Sequence, residues 1–214
     1  MLVKNRMSQP VITVSPDVPI MDALNTMKTN NIRRMPVVNE KGKLLGIISD
    51  KDLLNAGPSD ATSLSVWEIN YLVAKITVKK VMSTKVLTVT ENTAIEEAAR
   101  IMVDNKVGGL PVMRGEQIIG VITESDLFKI LLELMGARES GIRITALVPD
   151  VMGELDKVTH AIAEAGGSFI SFGQFNGDDD NHRIVTFKVS GMDQEKVVTA
   201  VTPVVDQIVD VREA

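Results

Sequence analysis

Two pairs of polar residues, each a hydroxyl followed by a carboxylate three positions later, are the residues of this chain best suited to bind a small molecule. Ser49 and Asp52 lie in GIISDKDLL, and Thr123 and Asp126 lie in GVITESDLF. In both places a strand pattern changes to a helical pattern, which predicts a strand-to-helix turn. At such a turn a hydroxyl and unpaired N–H groups can bind phosphate, and a carboxylate can accept both hydroxyls of a ribose.

The same two pairs also suit a purely structural purpose. A hydroxyl at the N-cap with an acidic residue three positions later forms a capping box, which stabilises a helix by about 1 kcal/mol. Taken alone, each pair fits a helix cap better than a ligand site. The surrounding sequence has to decide between these two interpretations.

The pairs close two copies of one longer pattern, residues 6–54 and 81–128. Aligning Met7 with Met82 superposes β-branched, apolar and proline positions as far as Pro36. The matched residues are Val11 with Val86, Thr13 with Thr88, Val14 with Val89, Ile20 with Ile95, Ala23 with Ala98, Met27 with Met102, Ile32 with Val107 and Pro36 with Pro111. After a one-residue deletion in the second copy, Gly46, Ser49, Asp52 and Leu53 match Gly120, Thr123, Asp126 and Leu127. Burial alone explains recurring apolar positions. A hydroxyl and a carboxylate that return at fixed spacing indicate a shared chemical purpose as well.

Each copy contains the same order of predicted elements. A short β-branched segment starts at Val11 or Val86, and apolar residues at helical spacing follow. Two strands rich in Val and Ile, separated by a polar turn, come next, and a short helix starts at Asp50 or Glu124. The helical spacing is carried by Ile20, Ala23, Leu24 and Met27 in the first copy and by Ile95, Ala98, Ala99 and Met102 in the second.

Composition limits the class of protein. Of 214 residues, 44% are hydrophobic and 24% are charged, as in soluble globular proteins. No apolar run is long enough to span a membrane, and the N-terminus shows no signal-peptide pattern. The absence of cysteine excludes disulfides and thiolate sites and suits a cytoplasmic protein. A net charge of −5 with only 3% aromatic residues argues against binding of nucleic acid.

The residues outside the two copies complete the predicted organisation. The segment SLSVWEINYLVAKITVKKVM carries Trp67 and Tyr71 at helical spacing and predicts a connecting helix. From Ile142 onward the pattern predicts strand, helix, strand, strand, helix and strand, the split βαβ order of ferredoxin-like folds. We therefore expect an α+β protein with repeat domains at 1–60 and 79–135, linkers at 61–78 and 136–141, and a third domain at 142–214.

The motif in each copy resembles the cystathionine β-synthase (CBS) domain. The shared features are Pro-Val-Val or Pro-Val-Met, a turn, and Gly-Ile-Ile-Ser or Gly-Val-Ile-Thr followed by the aspartate. Two such domains in tandem resemble a Bateman module, whose two clefts hold AMP, ADP, ATP or S-adenosylmethionine. The resemblance implies that Asp52 and Asp126 bind ribose and that Ser49 and Thr123 approach phosphate. It implies one cleft with Ile12, Thr13, Arg33, Arg34, Met35, Pro36, Ile48, Ser49 and Asp52, and a second with Leu87, Thr88, Gly109, Leu110, Pro111, Ile122, Thr123 and Asp126.

The two copies differ immediately before the shared proline. The first has Arg33 and Arg34 where the second has Gly108 and Gly109. Guanidinium groups fork onto phosphate oxygens, so the first cleft is expected to bind a charged nucleotide better, unless Arg34 reaches across to serve both. Solvated surface is the alternative for the two arginines. The glycines either admit a bulkier ligand or tighten a turn.

The third domain resembles an ACT domain, a small βαββαβ unit that often binds an amino acid between two copies. This resemblance rests on the order of elements and on the turn VPDVMGEL. By the resemblance, Asp150, Met152 and Gly153 would face a ligand. An ACT unit that only dimerises fits the sequence equally well.

Two CBS domains followed by an ACT domain resemble the acetoin-utilisation regulatory proteins of the AcuB type. This implies a cytoplasmic, non-catalytic homodimer that senses an adenine nucleotide or S-adenosylmethionine and acts on an unknown protein target. The alternative is an amino-acid-responsive ACT regulator in which the CBS pair is a scaffold. No nucleophile, base and oxyanion donor come together in the sequence, and neither His160 nor His182 has a partner at catalytic spacing, so we expect neither a catalytic site nor a catalytic cofactor. The acidic loop 178–180 lacks the glycine and glutamate of a calcium loop, so no metal site is expected.

Overall fold

The computed structural model describes residues 1–56 and 71–214, which form two compact units, Met1–Leu127 and Phe128–Ala214. The first unit contains both strand pairs of the sequence repeat. The part of the predicted connecting helix that contains Trp67 lies outside the described residues, and Tyr71 is helical as predicted. None of the helices in the described part of the chain has both the length and the apolar content needed to cross a membrane.

Both repeats form helices and strands where their periodicity predicts them. The bounds are α1 Ile20–Thr29, β1 Arg34–Val38, β2 Leu44–Ser49, α2 Asp50–Asn55, α3 Val78–Val81, β3 Val89–Thr90, α4 Ile95–Asn105, β4 Gly109–Arg114, β5 Gln117–Thr123 and α5 Glu124–Leu134. The strands β1 and β2 pair antiparallel, as do β4 and β5. The apolar faces of α1 and α4 are buried at the predicted positions Ile20, Ala23, Met27, Ile95, Ala98 and Met102. The helices α2 and α5 begin at the predicted residues, Asp50 and Glu124.

The β-branched segment that opens each repeat is shorter than the sequence predicts. In the first repeat only Val14 pairs, in a parallel bridge with Val37, and in the second β3 consists of two residues. The amide of Val14 donates to the carbonyl of Pro36, and Val38 donates to Val14. A parallel ladder that continued back toward Val11 would next need a donor at Pro36, which has no N–H group. The proline therefore ends the pairing.

Each opening segment also crosses to the other repeat. Ser83 of the second repeat exchanges two hydrogen bonds with Ile47 in β2, both 2.9 Å long. Ser8 of the first repeat forms the equivalent bridge with Val121 in β5. Gly46 makes room for this approach, because a Cβ there would lie 2.8 Å from the Ser83 carbonyl oxygen. The opening segment of each repeat thus pairs with a strand of the other repeat, and residues 82–88 lie beside the end of the first repeat.

The second unit has the strand order of a ferredoxin-like fold, as predicted. Its elements are β6 Ile142–Pro149, α6 Glu154–Glu164, β7 Ser168–Asn176, β8 His182–Ser190, α7 Gln194–Val201 and β9 Gln207–Glu213. The antiparallel sheet has the order β7-β8-β6-β9. Alternating residues of β6, with Val158 and Ile162 of α6 and Val197 and Val201 of α7, form its core.

A buried lysine fixes the segment that precedes this sheet. Lys188 in β8 is only 3% exposed, and its ammonium donates to the carbonyls of Gly136 and Glu139 at 2.9 Å each. A buried charge is tolerated only when such groups replace its water. Lys188 therefore stabilises the turn at 136–139.

Candidate functional site

The first hydroxyl and carboxylate pair forms the predicted capping box. Asp52 Oδ2 accepts hydrogen bonds from the Ser49 amide at 2.8 Å and from Ser49 Oγ at 2.7 Å. The amide of Asp52 donates back to Ser49 Oγ at 3.3 Å. Both side chains remain partly exposed. The cap therefore occupies one carboxylate oxygen and holds Asp52 in a defined orientation, while the other oxygen has no hydrogen bond within the described residues.

The second pair has the same geometry in a more enclosed place. Asp126 Oδ2 accepts from the Thr123 amide at 3.1 Å and from Thr123 Oγ1 at 2.7 Å. Asp126 is only 6% exposed and is buried, unlike Asp52. In both repeats, the hydroxyl and the carboxylate that form the helix cap are also the groups predicted to bind a ligand. Their function as a cap therefore does not depend on a bound ligand.

A cleft of about 260 Å³ opens beside Ser49 and Asp52 in the first unit. It is lined by Arg34, Ile47, Ile48, Ser49, Asp52, Ser83, Lys85, Val86, Leu87, Lys106, Val107, Gly108, Gly109 and Leu110. Ile48 and Leu110 are fully buried and give the cleft an apolar floor. The volume lies near the lower end of the range for small-molecule sites, about 300 Å³.

This cleft combines residues that the sequence analysis divided between two sites. Arg34, Ile48, Ser49 and Asp52 come from the first predicted set, whereas Leu87, Gly109 and Leu110 come from the second. Each predicted site was assigned to one repeat, whereas the residues that line this cleft come from both repeats. The reason is the pairing between the repeats described above, because residues 82–88 cross to the first repeat and carry Leu87 with them.

The other predicted residues lie elsewhere in the first unit. Met35 and Ile122 are fully buried, Pro36 and Pro111 are buried in β1 and β4, and Arg33 and Thr88 are exposed. Ile12 packs against the core of the first repeat, and Thr13 borders a shallower depression with Arg114. In the alignment of the two repeats, Ile12, Arg33, Met35, Thr123 and Asp126 match Leu87, Gly108, Leu110, Ser49 and Asp52 of the cleft.

Arg34 crosses from the first repeat to the second. Its Nη1 donates to the carbonyl of Gly108 at 2.7 Å. A Cβ at Gly108 would overlap the guanidinium of Arg34, and one at Gly109 would lie 3.5 Å from Arg34 Cδ. Gly108 therefore makes room for the arginine side chain, whereas the distance at Gly109 is that of an ordinary contact. Arg34 thus reaches across to the second repeat, and its service to both clefts stays a prediction.

Two lysines of the cleft were missed in the sequence analysis. Lys85 lies in the crossing segment, and Lys106 follows the C-terminus of α4 with φ +55°. Neither belongs to the repeated motif, since Pro10 and Asn31 occupy the matching positions in the first copy. An unmatched basic residue was the only available signal. With Arg34, they put three cations and one carboxylate, Asp52, on the cleft walls.

The predicted ligand turn of the second unit is exposed, but its carboxylate is already paired. Met152 is fully exposed, and Gly153 has φ +87°. Asp150 Oδ2 lies 2.7 Å from Arg183 Nη2, and this contact raises the pKa of the guanidinium. The charge of Asp150 is thus balanced from within the chain.

His182 also has acidic neighbours that the sequence analysis did not identify. Its Nδ1 lies 2.8 and 2.9 Å from the two carboxylate oxygens of Asp179, and its Nε2 lies 3.5 Å from Asp206. The hydrogen bond to Asp179 raises the pKa of His182 and lowers the pKa of Asp179. Asp179 therefore forms a hydrogen bond with His182 within the hairpin loop.

Comparison with known proteins places the two repeats in a family. The family model of the CBS domain matches residues 3–59 and again residues 78–133. Among solved structures, the CBS domain pair of protein MJ0100, in complex with 5′-methylthioadenosine and S-adenosylmethionine, is 28% identical with a TM-score of 0.53. The match covers 65% of this chain and 98% of that chain.

Two further solved structures are similar. A candidate acetoin utilization protein (AcuB) from Vibrio cholerae is 31% identical with a TM-score of 0.53, over 65% of this chain and 96% of that one. CBSX2 in complex with AMP is 28% identical with a TM-score of 0.50, over 61% of this chain and 96% of that one. The predicted likeness of the repeat pair to an AcuB protein is confirmed.

Proposed function

Because the chain belongs to the CBS-domain family, we propose that it is a non-catalytic regulatory protein whose CBS pair senses an adenine nucleotide or S-adenosylmethionine. The observation that carries this proposal is the cleft beside Ser49 and Asp52, in which a fixed carboxylate, an apolar floor and three cations face one opening. Two similar solved structures support the ligand class, since one is a complex with AMP and the other a complex with 5′-methylthioadenosine and S-adenosylmethionine.

Each part of the ligand has a matching group in the cleft. Asp52 is held by its cap, so its second carboxylate oxygen can accept the two hydroxyls of a ribose without reorganisation. Leu87, which is 41% exposed, offers apolar surface for the base, and the buried Ile48 and Leu110 lie behind the cleft wall. Arg34 supplies a guanidinium for phosphate, and the Ser49 hydroxyl also lines the cleft, with its hydrogen atom donated to Asp52.

The matching positions of the other copy form the second site of the proposal. Thr123 and Asp126 repeat the geometry of Ser49 and Asp52, and Ile12 and Met35 match the apolar residues Leu87 and Leu110. The second site has Arg33 where the first has Gly108. Two sites of one design and unequal affinity follow from these differences.

The ligand acts by favouring one arrangement of the protein over another. A ligand that bound both arrangements equally would shift nothing. We propose that ligand binding acts on the C-terminal unit, taken as an ACT domain at 142–214, or on a protein target. We also propose that the active assembly is a cytoplasmic homodimer. Acetoin utilisation is the process suggested by the likeness to AcuB.

Calorimetry of the full chain with AMP, ADP, ATP and S-adenosylmethionine tests the sensing function. At least one of these ligands should bind with a dissociation constant below 1 mM, that is, by more than about 4 kcal/mol. If none binds in this range, the proposal fails.

The alternative is an amino-acid-responsive regulator in which the CBS pair is a scaffold. The exposed turn at Met152 favours it. A thermal-shift screen separates the two, because a ligand that binds only the native state raises the melting temperature. We expect adenine nucleotides to raise it and amino acids to leave it unchanged.

A further inference from the structure

We propose that the cleft beside Asp52 selects anionic nucleotides over S-adenosylmethionine, and that Lys85 and Lys106 determine this choice. The inference rests on the proposed function, because it needs the cleft to bind an adenosine group. It goes further by separating two ligand classes that the proposed function leaves together. Neither lysine belongs to the repeated motif of the two copies.

The charge on the cleft walls is unbalanced. Among the lining residues, Arg34, Lys85 and Lys106 are basic and Asp52 is the only acidic one. Asp52 already accepts two hydrogen bonds from Ser49, and none of the three cations has a salt bridge to it within the described residues. Arg34 donates to the carbonyl of Gly108, and Glu124 Oε2 and the Arg34 guanidinium lie close to the same point beside Gly108. The positive charge that a ligand can meet is therefore that of Lys85 and Lys106.

The two ligand classes carry opposite charge at the position that would meet these cations. A phosphate on the ribose 5′ carbon carries about two negative charges near neutral pH. S-adenosylmethionine carries a positive sulfonium at the same carbon. With Asp52 on the ribose hydroxyls, the 5′ substituent points away from Asp52 and toward the basic wall, so the phosphate is attracted and the sulfonium is repelled.

The backbone at Lys106 indicates that its side chain serves a purpose other than local structure. Lys106 ends α4 in the left-handed conformation, with φ +55°, and Asn31 has φ 52° at the matching position after α1. Asparagine and glycine adopt this conformation more readily than lysine does. Lysine is thus a less favourable residue for this turn than asparagine. Of the two matched positions, only the one with lysine lines this cleft.

The test compares AMP, adenosine and S-adenosylmethionine by calorimetry on the full chain and on two variants, Lys106→Asn and Lys85→Gln. Lys106→Asn carries the residue of the matching turn and keeps its conformation. Each variant should weaken AMP about 3- to 5-fold, as expected for one exposed charge pair, and leave adenosine within about 2-fold. In the unchanged protein, affinity should fall in the order AMP, adenosine, S-adenosylmethionine. Lys43→Gln, an exposed lysine of the β1–β2 turn, is the control and should leave all three affinities unchanged.

Each result has a distinct meaning. Equal binding of AMP and adenosine, unaffected by either variant, would overturn the selection by charge while leaving the sensing function intact. S-adenosylmethionine that binds as tightly as AMP would do the same. If Lys106→Asn lowers the melting temperature and weakens adenosine as much as AMP, Lys106 is structural and the proposal is wrong. Loss of all binding in the unchanged protein would overturn the proposed function itself.

Discussion

Two of the three places where the sequence predicts a ligand, the cleft at Asp52 and the turn at Asp150, differ in how their carboxylates are used. Asp52 is held by its own N-cap, with one oxygen bound to Ser49. Asp150 is held by a guanidinium, that of Arg183, at 2.7 Å. The first arrangement orients a negative charge toward an opening lined by cations, whereas the second neutralises the charge within the chain.

The two sites thus differ in how the charges around them are balanced, although the first unit also has surface salt bridges, such as Arg114 with Glu91. In the second unit, Arg143 pairs with Asp210, His182 with Asp179, and Lys188 with backbone carbonyls. In the first unit, three cations and Asp52 face the same cleft. We therefore expect ligand effects at the cleft and stability effects in the second unit.

The largest expected effect is that of Asp52→Ala on nucleotide affinity. Removing an ionised acceptor from two hydroxyls should weaken AMP about 30- to 100-fold, since a hydrogen bond to a charged group contributes about 1.5–3 kcal/mol. Calorimetry measures this, and a melting curve measures the accompanying loss of the cap. Asp150→Ala is the matched variant, and its affinity for AMP should be unchanged. Equal losses in both variants would contradict the comparison.

A large effect on stability is expected for Lys188→Met. Two buried carbonyls, of Gly136 and Glu139, would lose their donor, and each such loss costs about 1–3 kcal/mol. Urea unfolding followed by a probe in the second unit should show a decrease of about 2 kcal/mol or more. Lys196→Met, at an exposed lysine of α7, should stay within about 0.5 kcal/mol. Unchanged stability in Lys188→Met would show that its hydrogen bonds contribute nothing.

A smaller effect is expected from Gly108→Ala, which adds a methyl group where Arg34 lies. The guanidinium has to move, because the new Cβ would overlap it. AMP should bind about 3-fold more weakly, as for one lost exposed charge contact, and adenosine should bind as before. In an Arg34→Ala background the same substitution should cause no further loss of AMP affinity. An additional loss there would mean that Gly108 acts independently of Arg34.

The smallest expected effect is the pH dependence of the hairpin loop. The pKa of His182 is raised, so its contact with Asp179 stabilises the fold below the pKa of an unfolded histidine, about 6.5, and this contribution is lost as the pH rises through the folded-state pKa. For Asp179, whose pKa is lowered, the contribution is lost as the pH falls. An NMR titration should place the pKa of His182 above the ordinary histidine value of about 6.5, and Asp179→Asn should lower it. An unchanged pKa in that variant would exclude the contact.

Local patterns predicted most of the elements because they depend on neighbours in the chain. Apolar spacing is enough to place α1 and α4, since each helix buries the face that its own residues define. The capping boxes at Ser49 and Thr123 follow from two residues three positions apart. The order of strands and helices after Ile142 likewise indicates the split βαβ sheet.

The opening strand of each repeat was predicted too long for a reason that periodicity does not contain. Val11 and Thr13 have the residue types of a strand, but their partner would be the strand that includes Pro36. Its missing N–H group ends the ladder at Val14. Only knowledge of which strand lies alongside makes that proline relevant.

Spacing along the chain predicted the two repeats, most of their elements, the capped carboxylates and the family resemblance. The tertiary structure determines which residues share a cleft, because residues 82–88 cross to the first repeat and bring Lys85 and Leu87 to Asp52. It also places the Arg34 side chain against Gly108 and Gly109, which are far from it in the chain. Helices and caps arise from contacts within a few residues, whereas a cleft arises from contacts between distant segments, which spacing along one chain does not specify.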